Sequence, residues 1–278
     1  MSAAASKRLA LPRVTLCAVT SVNVKATLRA LESCLVQVDF AACKLFTDTL
    51  IKSDHPAISI VPIPRLNSSA AYSKFILSQL VHYVATSHCL VTQWDGHVLD
   101  AARWRAEFLD YDYIGASWPQ FRDGNNVGNG GFSLRSRRLM EACLNVQFRA
   151  SHPEDLAIGR VNRSWLENQG MRFAPHALAD LFATERSGDL GKSFGYHGVW
   201  NMPRAIGTDA FWRVYQDLDD RGTIKHDFPS ILKDVGHGNC GSLRALRMIM
   251  DHLGDRMRSR KSVAKLGLKP SGKRHYNL

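Results

Sequence analysis

An acidic residue follows a short apolar run in the middle of the chain, and its surroundings suit a site for phosphate groups. The apolar run 89–92 is followed at once by Gln-Trp-Asp-Gly-His at positions 93–97. A carboxylate such as Asp95, at the end of a buried strand, is held on an open rim, where a hard divalent cation that bridges diphosphate oxygens takes its ligands. The alternative interpretation is an ordinary turn in which Asp95 caps the next segment.

A glycine-rich segment comes next, and glycines let the backbone approach a ligand closely. Residues 123–131 read D-G-N-N-V-G-N-G-G, and the strand-like run 132–135 follows them. Gly130 and Gly131 are therefore candidates for a pocket wall. A plain hairpin turn is the alternative.

Two further groups could take part in chemistry. Glu154 and Asp155 stand in the first turn of a predicted helix, where the helix dipole favours acidic side chains as caps. The alternative is that one of them projects into a crevice and acts as a general base. His197 lies between glycines and aromatic residues in the segment F-G-Y-H-G-V-W, which makes it a candidate ligand.

The elements around these residues predict an open α/β sheet. The apolar run 14–20 has the length of a buried parallel strand, and residues 26–35 have helical spacing. Short strands are predicted at 44–48 and 58–63, the latter an edge strand because of its prolines. Ligands of such sheets bind beyond the carboxyl ends of the strands.

Polar residues near those strand ends would line the crevice. Thr20 and Ser21 follow the first strand, and Asp48 ends the second, where it accepts hydrogen bonds from a ribose or a base, or serves only as a turn residue. Tyr72 and Lys74 stand near the start of a predicted helix over 70–86. They would either contact a phosphate or a base of the ligand or face solvent. Neither G-x-G-x-x-G nor G-x-x-x-x-G-K-[ST] occurs, so the dinucleotide and P-loop interpretations lose their main support.

Composition bounds the domain organisation and the partners. The chain has 278 residues and a formal net charge of +11, which points to an anionic partner. Residues 255–278 contain eight Lys or Arg and one Asp, so they supply most of the excess charge. We expect a flexible leader over 1–11, one domain over 12–254 and a basic, disordered tail over 255–278.

The cysteines and the apolar segments bear on the compartment. The six cysteines include no C-x-x-C pair, which favours buried free thiols in a reducing compartment. No apolar stretch reaches the roughly 18 residues of a membrane span. The first residues lack a signal-peptide core. We therefore expect a cytoplasmic protein.

The order of these blocks resembles a GT-A glycosyltransferase. It is similar to poorly characterised bacterial glycosyltransferase-like domains that carry Q-x-D-G, then G-N-G-G-F-S-L-R-S, then P-E-D and then F-x-x-H-G, over roughly residues 12–201. Such enzymes bind a nucleotide-sugar at strand carboxyl ends, usually through a D-x-D motif and Mn²⁺ or Mg²⁺. The resemblance implies a single GT-A-like (Rossmann-like) α/β/α sandwich with a mixed central sheet, followed by C-terminal helices and the basic tail.

The resemblance also implies roles for individual residues. Asp95 matches the last acid of D-x-D, whereas Gln93 stands in place of the first acid and brings no charge to the metal. His97 or His197 would complete the metal site. Asp155 or Glu154 would be the catalytic base of an inverting reaction, and Lys74 or Arg135 would help to stabilise the departing diphosphate. The implied donor site comprises Thr20, Ser21, Asp48, Tyr72, Lys74, Gln93, Trp94, Gly130, Gly131 and Phe132.

We therefore expect a metal-assisted hexosyltransferase that moves a sugar, by preference from a UDP-linked donor, to a glycan, a lipid-linked glycan or another hydroxyl acceptor in polysaccharide biosynthesis. Its basic tail would contact an anionic membrane at the inner face. A nucleotide-sugar-binding relative without turnover is the first alternative, and the neutral Gln93 in place of an acid is the argument for it. A nucleic-acid-binding protein that uses the tail is the second, but the body lacks the basic and aromatic face that this needs. A nucleotidyltransferase would need a glycine- and lysine-rich amino-terminal loop, which is absent.

Overall fold

A six-stranded sheet forms the centre of the computed structural model, which describes residues 8–265. Its order is β3-β2-β1-β4-β7-β6; the strands from β3 to β4 run parallel, and β7 is antiparallel to both of its neighbours. A small second sheet has the order β5-β9-β8. The strands are β1 (Leu9–Val19), β2 (Val38–Thr47), β3 (Ile58–Pro62), β4 (His88–Thr92), β5 (His97–Val98), β6 (Tyr113–Ile114), β7 (Phe132–Ser136), β8 (Ala183–Thr184) and β9 (Gly195–Tyr196).

Helices cover both faces of the large sheet. They are α1 (Val24–Gln37), α2 (Ser69–Ser78), α3 (Arg137–Ala142), α4 (Glu154–Leu156), α5 (Arg163–Asn168), α6 (His176–Phe182), α7 (Met202–Ala205), α8 (Thr208–Gln216), α9 (Phe228–Gly236) and α10 (Gly241–Lys265). The predicted α/β class with a mixed central sheet is confirmed.

The side chains of β1 divide the core into two layers. Leu16 and Ala18 lie in the layer that α1 and α6 cover, whereas Cys17 and Val19 lie in the layer that α2 covers. Successive side chains of a strand point to opposite faces, so a strand covered on both sides is apolar at nearly every position. The buried Thr15 is an exception in β1, and its hydroxyl lies 2.8 Å from Thr86 Oγ1. Cover on both faces explains the continuous apolar run that predicted the strand.

Helix α1 connects the first strand to the C-terminal helices. It begins after Asn23, which has a left-handed conformation (φ 54°) that asparagine tolerates better than most residues. The Asn23 amide donates to the Asp220 carbonyl oxygen at 2.8 Å and accepts from the Asp219 N–H at 3.0 Å. The C-terminal helices are therefore joined to the carboxyl end of β1.

Two predicted boundaries differ from the structure at the start of the fold. Strand β1 begins at Leu9, so residues 9–11 pair with β2 and do not belong to a flexible leader. The pairing register shifts between Leu11 and Thr15, and this irregularity accommodates Pro12, which has no N–H to donate to a ladder. The helix predicted over 70–86 ends at Ser78 and is followed by a single 3₁₀ turn over Leu80–Tyr83.

The C-terminal boundary also differs. Helix α10 continues to Lys265, inside the segment predicted as a disordered tail. Ion pairs of Arg247 with Asp251 and of Arg221 with Asp255 support its course. Residues 1–7 of the predicted leader and 266–278 of the predicted tail lie outside the described residues, and the division into leader, domain and tail stays a prediction.

Two sequence-level expectations about cysteines and membrane spans can be compared with the structure. The six cysteines are free; five are buried and Cys240 is exposed. Among residues 8–265, no helix has both the length and the apolar composition needed to cross a membrane.

Candidate active site

Two adjoining cavities open beyond the carboxyl ends of β1 and β4. The larger has a volume of about 650 Å³, and its walls include Asp95, Asp155 and His197. The smaller has a volume of about 380 Å³ and lies at the end of β1. Gln93 and Thr223 line both cavities, so the two cavities share a wall. Strand β1 lies between β2 and β4, where the connections of a parallel sheet change direction, and this is where open α/β sheets bind ligands.

The smaller cavity contains several of the predicted donor-site residues. Its walls include Thr20, Ser21, Tyr72 and Trp94. The Tyr72 hydroxyl accepts a hydrogen bond from Gln93 Nε2 at 3.1 Å, so Gln93 is held against α2 at the boundary between the cavities. Burial raises the pKa of Tyr72. The hydroxyl therefore keeps its proton and remains a donor.

In the larger cavity, a carboxylate meets an imidazole. Asp95 Oδ1 lies 3.4 Å from His197 Nε2, and the opposite ring nitrogen, Nδ1, lies 3.2 Å from Glu185 Oε1. The backbone fixes this arrangement, since the His197 N–H donates to the Thr184 carbonyl oxygen at 2.9 Å and the Gly96 N–H donates to the Gln93 carbonyl oxygen at 3.2 Å. The structure thus brings Asp95 and the more distant of the two candidate histidines together.

Asp95 is buried and His197 is half-buried, and the pair is incompletely hydrogen-bonded. Asp95 Oδ1 and His197 Nε2 are both shielded from solvent, and neither has a hydrogen-bond partner. Burial by itself lowers the pKa of His197, but the carboxylates of Asp95 and Glu185 outweigh it and raise that pKa to about 10. The two atoms form an ion pair without good hydrogen-bond geometry, and both residues line the larger cavity, so a ligand in that cavity can contact the pair.

The two glycines make room for side chains of the site. A Cβ atom on Gly131 would lie 2.0 Å from His197 Nε2, and one on Gly130 would lie 2.2 Å from Glu154 Oε1. The predicted close approach at these glycines is therefore real, but it involves His197 and Glu154 of the same chain.

The acidic neighbours at 154–155 have different environments. Glu154 is buried; its Oε1 accepts from Arg135 Nη2 at 3.3 Å and its Oε2 from Ser73 Oγ at 3.1 Å. Asp155 is half-buried and lines the larger cavity, where its Oδ2 accepts from the Gly130 N–H at 3.2 Å. Of the two candidate bases, only Asp155 faces the cavity.

The pKa of Asp155 suits a group that accepts a proton near neutrality. Burial and, after it, the negative charge of Glu154 raise this pKa from 3.8 to about 6, against the opposing effect of hydrogen bonds from the Leu156 and Gly130 N–H groups. General bases are most effective when their pKa lies close to the working pH.

Four predicted site residues lie elsewhere. His97 is half-buried, and its Nδ1 lies 2.8 Å from the Val98 carbonyl oxygen, so it does not join Asp95. Phe132 is fully buried against Phe182 and Phe194 because it continues the alternation of β7 into the core.

The other two are Lys74 and Asp48, and neither lines either cavity. Lys74 is exposed because α2 buries the residues on either side of it, Ser73 and Phe75. Asp48 Oδ2 lies 3.8 Å from Arg65 Nη1.

Several residues of the larger cavity were not predicted. Glu185 orients His197, while Trp118 and Asn129 come from the segment before β7, and Thr223, His226 and Asp227 come from the C-terminal region. An acid twelve positions before the candidate histidine was the only signal for Glu185, and β8 and β9 are too short for periodicity to reveal that they pair.

The described part of the chain supplies only a partial metal site. Within residues 8–265, no group of three or more His, Cys, Asp or Glu side chains is arranged to hold a metal ion. Asp95 and His197 contribute two potential ligand atoms. Any further ligands would have to come from a substrate or from water.

Comparisons with known proteins place the chain in a family. Residues 57–197 match the family model described as "Protein of unknown function (DUF5672)". The chain belongs to this family. The matched range of the DUF5672 model extends from the strand before α2 to His197, and it therefore includes both acids at 154–155 and the Asp95–His197 pair. No curated protein matches the chain.

Many solved structures resemble the chain, and the two that follow are among them. The mannosyltransferase PcManGT from Pyrobaculum calidifontis, in complex with GDP-Man and Mn²⁺, is 12% identical, with 95% of this chain and 82% of that chain covered and a TM-score of 0.41. An active-site mutant of LgtC is 13% identical, with 74% of this chain and 96% of that chain covered and a TM-score of 0.41. Likeness at this TM-score says nothing about the activity of this DUF5672 protein.

Proposed function

We propose that this protein transfers a sugar from a nucleotide-sugar to a hydroxyl group of an acceptor, with a divalent metal ion and inversion at the transferred carbon. The observation that carries the proposal is the pair of adjoining cavities at the carboxyl ends of β1 and β4. A nucleotide-sugar has two corresponding parts, a nucleoside and a sugar linked through diphosphate. We assign the nucleoside to the smaller cavity and the sugar to the larger.

The smaller cavity has groups that suit a nucleoside. Tyr72 and Trp94 offer aromatic surface, and Thr20 and Ser21 offer hydroxyls near the end of β1. Gln93, between the cavities, is placed to contact the ribose or the first phosphate, and its amide carries no charge that would repel a phosphate. A UDP-linked or a GDP-linked donor is compatible with these groups.

Asp95 fits a Mn²⁺ or Mg²⁺ ion as a ligand, and His197 would join it once the ion displaces the proton that its raised pKa retains at neutral pH. Asp95 Oδ1 and His197 Nε2 lie 3.4 Å apart beside the larger cavity, and Glu185 contacts the opposite ring nitrogen, as the carboxylates that orient metal-binding histidines do. Mg²⁺ sites often take one or two protein ligands and complete their shell with substrate phosphates and water. Such an ion would neutralise charge on the departing diphosphate.

Asp155 is our candidate for the general base. It lines the same cavity as Asp95, and the Gly130 N–H holds one of its oxygens in place. Its raised pKa lets it take a proton from an acceptor hydroxyl near neutral pH. Glu154 is unsuited to this step because it is buried, lines neither cavity and is paired with the Arg135 cation.

A nucleotide-sugar-binding protein without turnover is the second candidate. Gln93 favours it, because an amide stands where an acid would strengthen the metal site, and that amide is engaged with Tyr72. The two candidates share the donor site. They differ in whether Asp155 acts on an acceptor.

Calorimetric titration with UDP-sugars and GDP-sugars, each with and without Mn²⁺, tests the donor site. We expect Mn²⁺-dependent binding of at least one donor and its loss in Asp95→Ala. Equal affinity of wild type and Asp95→Ala for every donor, with and without Mn²⁺, would refute the donor-site assignment. Slow release of nucleoside diphosphate from the bound donor, abolished in Asp155→Asn, would favour the transferase; tight binding without release in the wild type would favour the second candidate.

A further inference from the structure

Helix α10 exposes a row of apolar side chains. Leu243, Leu246, Met250, Leu253 and Met257 are each between 53% and 70% exposed. Their spacing alternates between three and four residues, which places them along one side of a helix over a length of about 21 Å. We call these five residues the α10 stripe. Exposed apolar surface in one continuous patch marks a site of interaction.

The opposite side of α10 is firmly packed against the protein. Met248 is fully buried, His252 stacks on Phe228 with ring centroids 4.2 Å apart, and the Tyr215 hydroxyl donates to Asp251 Oδ2 at 3.1 Å. The helix therefore docks through a face that is partly polar and leaves its more apolar face outward. Ordinary surface helices do the reverse.

The charge of this segment is strongly positive. Residues 241–265 contain seven Lys or Arg and two Asp, and residues 266–278 add three more Lys or Arg and no acid. Both acids of the helix are turned toward the protein. Asp251 accepts a hydrogen bond from the Tyr215 hydroxyl, and Asp255 Oδ2 lies 4.0 Å from Arg221 Nη1. The outward side of α10 therefore combines apolar and basic residues.

The positive charge of α10 distinguishes two possible partners of the α10 stripe, a second copy of the chain and an anionic lipid surface. A second copy of the chain would satisfy the coiled-coil spacing, but the charged residues beside the stripe, Arg247 and Arg256, are both basic, and the acid nearest to them, Asp251, already pairs with Arg247 of the same helix. Two such helices would bring like charges together. An anionic lipid surface matches both the apolar row and the basic flanks.

We propose that α10 lies in the plane of an anionic membrane surface, with the α10 stripe immersed in the acyl boundary and the basic residues of the segment among the headgroups. This assigns membrane contact to a folded helix and its apolar face, whereas the sequence suggested only electrostatic contact through a tail. The inference does not depend on the sugar-transfer proposal, because it concerns a surface that lines neither cavity.

Vesicle flotation of the full chain tests it without any donor present. Two kinds of vesicle are needed, phosphatidylcholine alone and equal parts of phosphatidylcholine and phosphatidylglycerol. We expect binding to the anionic vesicles only. Leu246→Gln/Leu253→Gln, which keeps the charge and alters two exposed positions of the stripe, should lower the affinity for them about ten-fold or more.

A matched control replaces equally apolar, fully exposed side chains elsewhere. Leu50 and Val146 are 105% and 101% exposed and do not belong to α10. Leu50→Gln/Val146→Gln should bind vesicles as the wild type does. Circular dichroism should give the same helix content for both double variants and the wild type in solution, so that a loss of binding is not a loss of folding.

Three results would overturn the proposal. The first is no binding of the wild type to either kind of vesicle. The second is unchanged vesicle binding of Leu246→Gln/Leu253→Gln, which would show that the apolar stripe does not contribute and that charge alone accounts for binding. The third is a dimer of the wild type by light scattering that this double variant converts to a monomer, which would make the α10 stripe a contact between copies.

Discussion

Two largely buried pairs of charged side chains lie on either side of the glycine pair at 130–131, and they differ in how completely they are hydrogen-bonded. In the Arg135–Glu154 pair the nearest atoms are 3.3 Å apart, and in the Asp95–His197 pair they are 3.4 Å apart. Glu154 also accepts from Ser73, and Arg135 Nε donates to Ser133 Oγ at 3.1 Å. In the second pair, Asp95 Oδ1 and His197 Nε2 have no hydrogen-bond partner.

The difference separates structural stabilisation from binding. A buried charge is tolerated when a partner and further hydrogen bonds compensate for its lost hydration, as at Arg135 and Glu154. The Asp95–His197 pair lacks such further hydrogen bonds at its facing atoms and borders the larger cavity, where a ligand can contact it. We therefore propose a structural role for Arg135–Glu154 and a ligand-binding role for Asp95–His197.

The largest effect is expected from breaking the first pair. Arg135→Met leaves the Glu154 carboxylate buried without its cation, which should lower the free energy of unfolding by about 3–5 kcal/mol. Chemical denaturation measures this. Arg105→Met is the control, because Arg105 and Glu107 form an exposed pair whose loss should cost less than about 1 kcal/mol. Equal losses in both variants would contradict the structural role of Arg135.

Asp155, which adjoins the first pair but faces the cavity of the second, should affect rate and leave binding intact. Asp155→Asn should lower the release of nucleoside diphosphate by about 10²–10⁴-fold because the variant cannot take up a proton, while calorimetry gives the same donor affinity. Glu154→Gln serves as the comparison. If Glu154→Gln loses turnover while Asp155→Asn keeps it, the assignment of the base is wrong.

Asp95→Asn tests the proposed ligand-binding role of the second pair. It replaces an incompletely bonded carboxylate, so we expect its unfolding free energy to change less than that of Arg135→Met. The stabilisation of the wild type by donor and Mn²⁺ at about a hundred times the dissociation constant, roughly 2.7 kcal/mol, should disappear in the variant. Thermal unfolding with and without both ligands measures this, and full retention of the shift would place the metal elsewhere.

A pH profile gives a smaller effect of defined sign. Asp155 must be ionised to act as a base, so with a pKa of about 6 the rate should fall about ten-fold for each pH unit below 6 and level off above it. The folded carboxyl holds its proton to higher pH than an unfolded one with a pKa of 3.8, so the wild type should lose stability relative to Asp155→Asn as the pH rises from about 4 to 6. A rate that stays the same from about pH 5 to about pH 7, a range that spans the pKa, would contradict this role.

The smallest effect is expected at Lys74. This side chain is exposed and lines neither cavity, so Lys74→Ala should leave donor affinity unchanged and alter the unfolding free energy by less than about 0.5 kcal/mol. Calorimetry and denaturation measure both. A clear loss of donor affinity would show that the site extends beyond the two cavities.

Local patterns were enough to predict much of the fold and part of the site. The apolar runs that became β1 and β4 are buried on both faces, so their composition alone reveals them. Because Asp95 follows β4 within three residues, its place on the rim follows from that strand. The N-cap at Ser68 was likewise predictable, since its hydroxyl accepts from the Ala71 N–H at 3.1 Å.

Other features needed contacts between distant parts of the chain. Asp95 meets His197 and not His97, although His97 is only two residues away, because the β5–β9 pairing brings the end of β9 back to the end of β4. Thr223 reaches the cavities because Asn23 joins the C-terminal segment to the end of β1. No local pattern contains this information.

The sequence by itself therefore determined the α/β class, the strand-end acid and the acidic pair at 154–155, because each depends on residues close together in the chain. Only the tertiary structure decided that Asp155 and not Glu154 faces the cavity, since neighbours in a helical turn point in directions roughly 100° apart and packing selects one of them. It also decided the outward side of α10. An amphipathic sequence reads as a helix that buries its apolar face, and only packing through Met248, Asp251 and His252 reveals that the α10 stripe is left exposed.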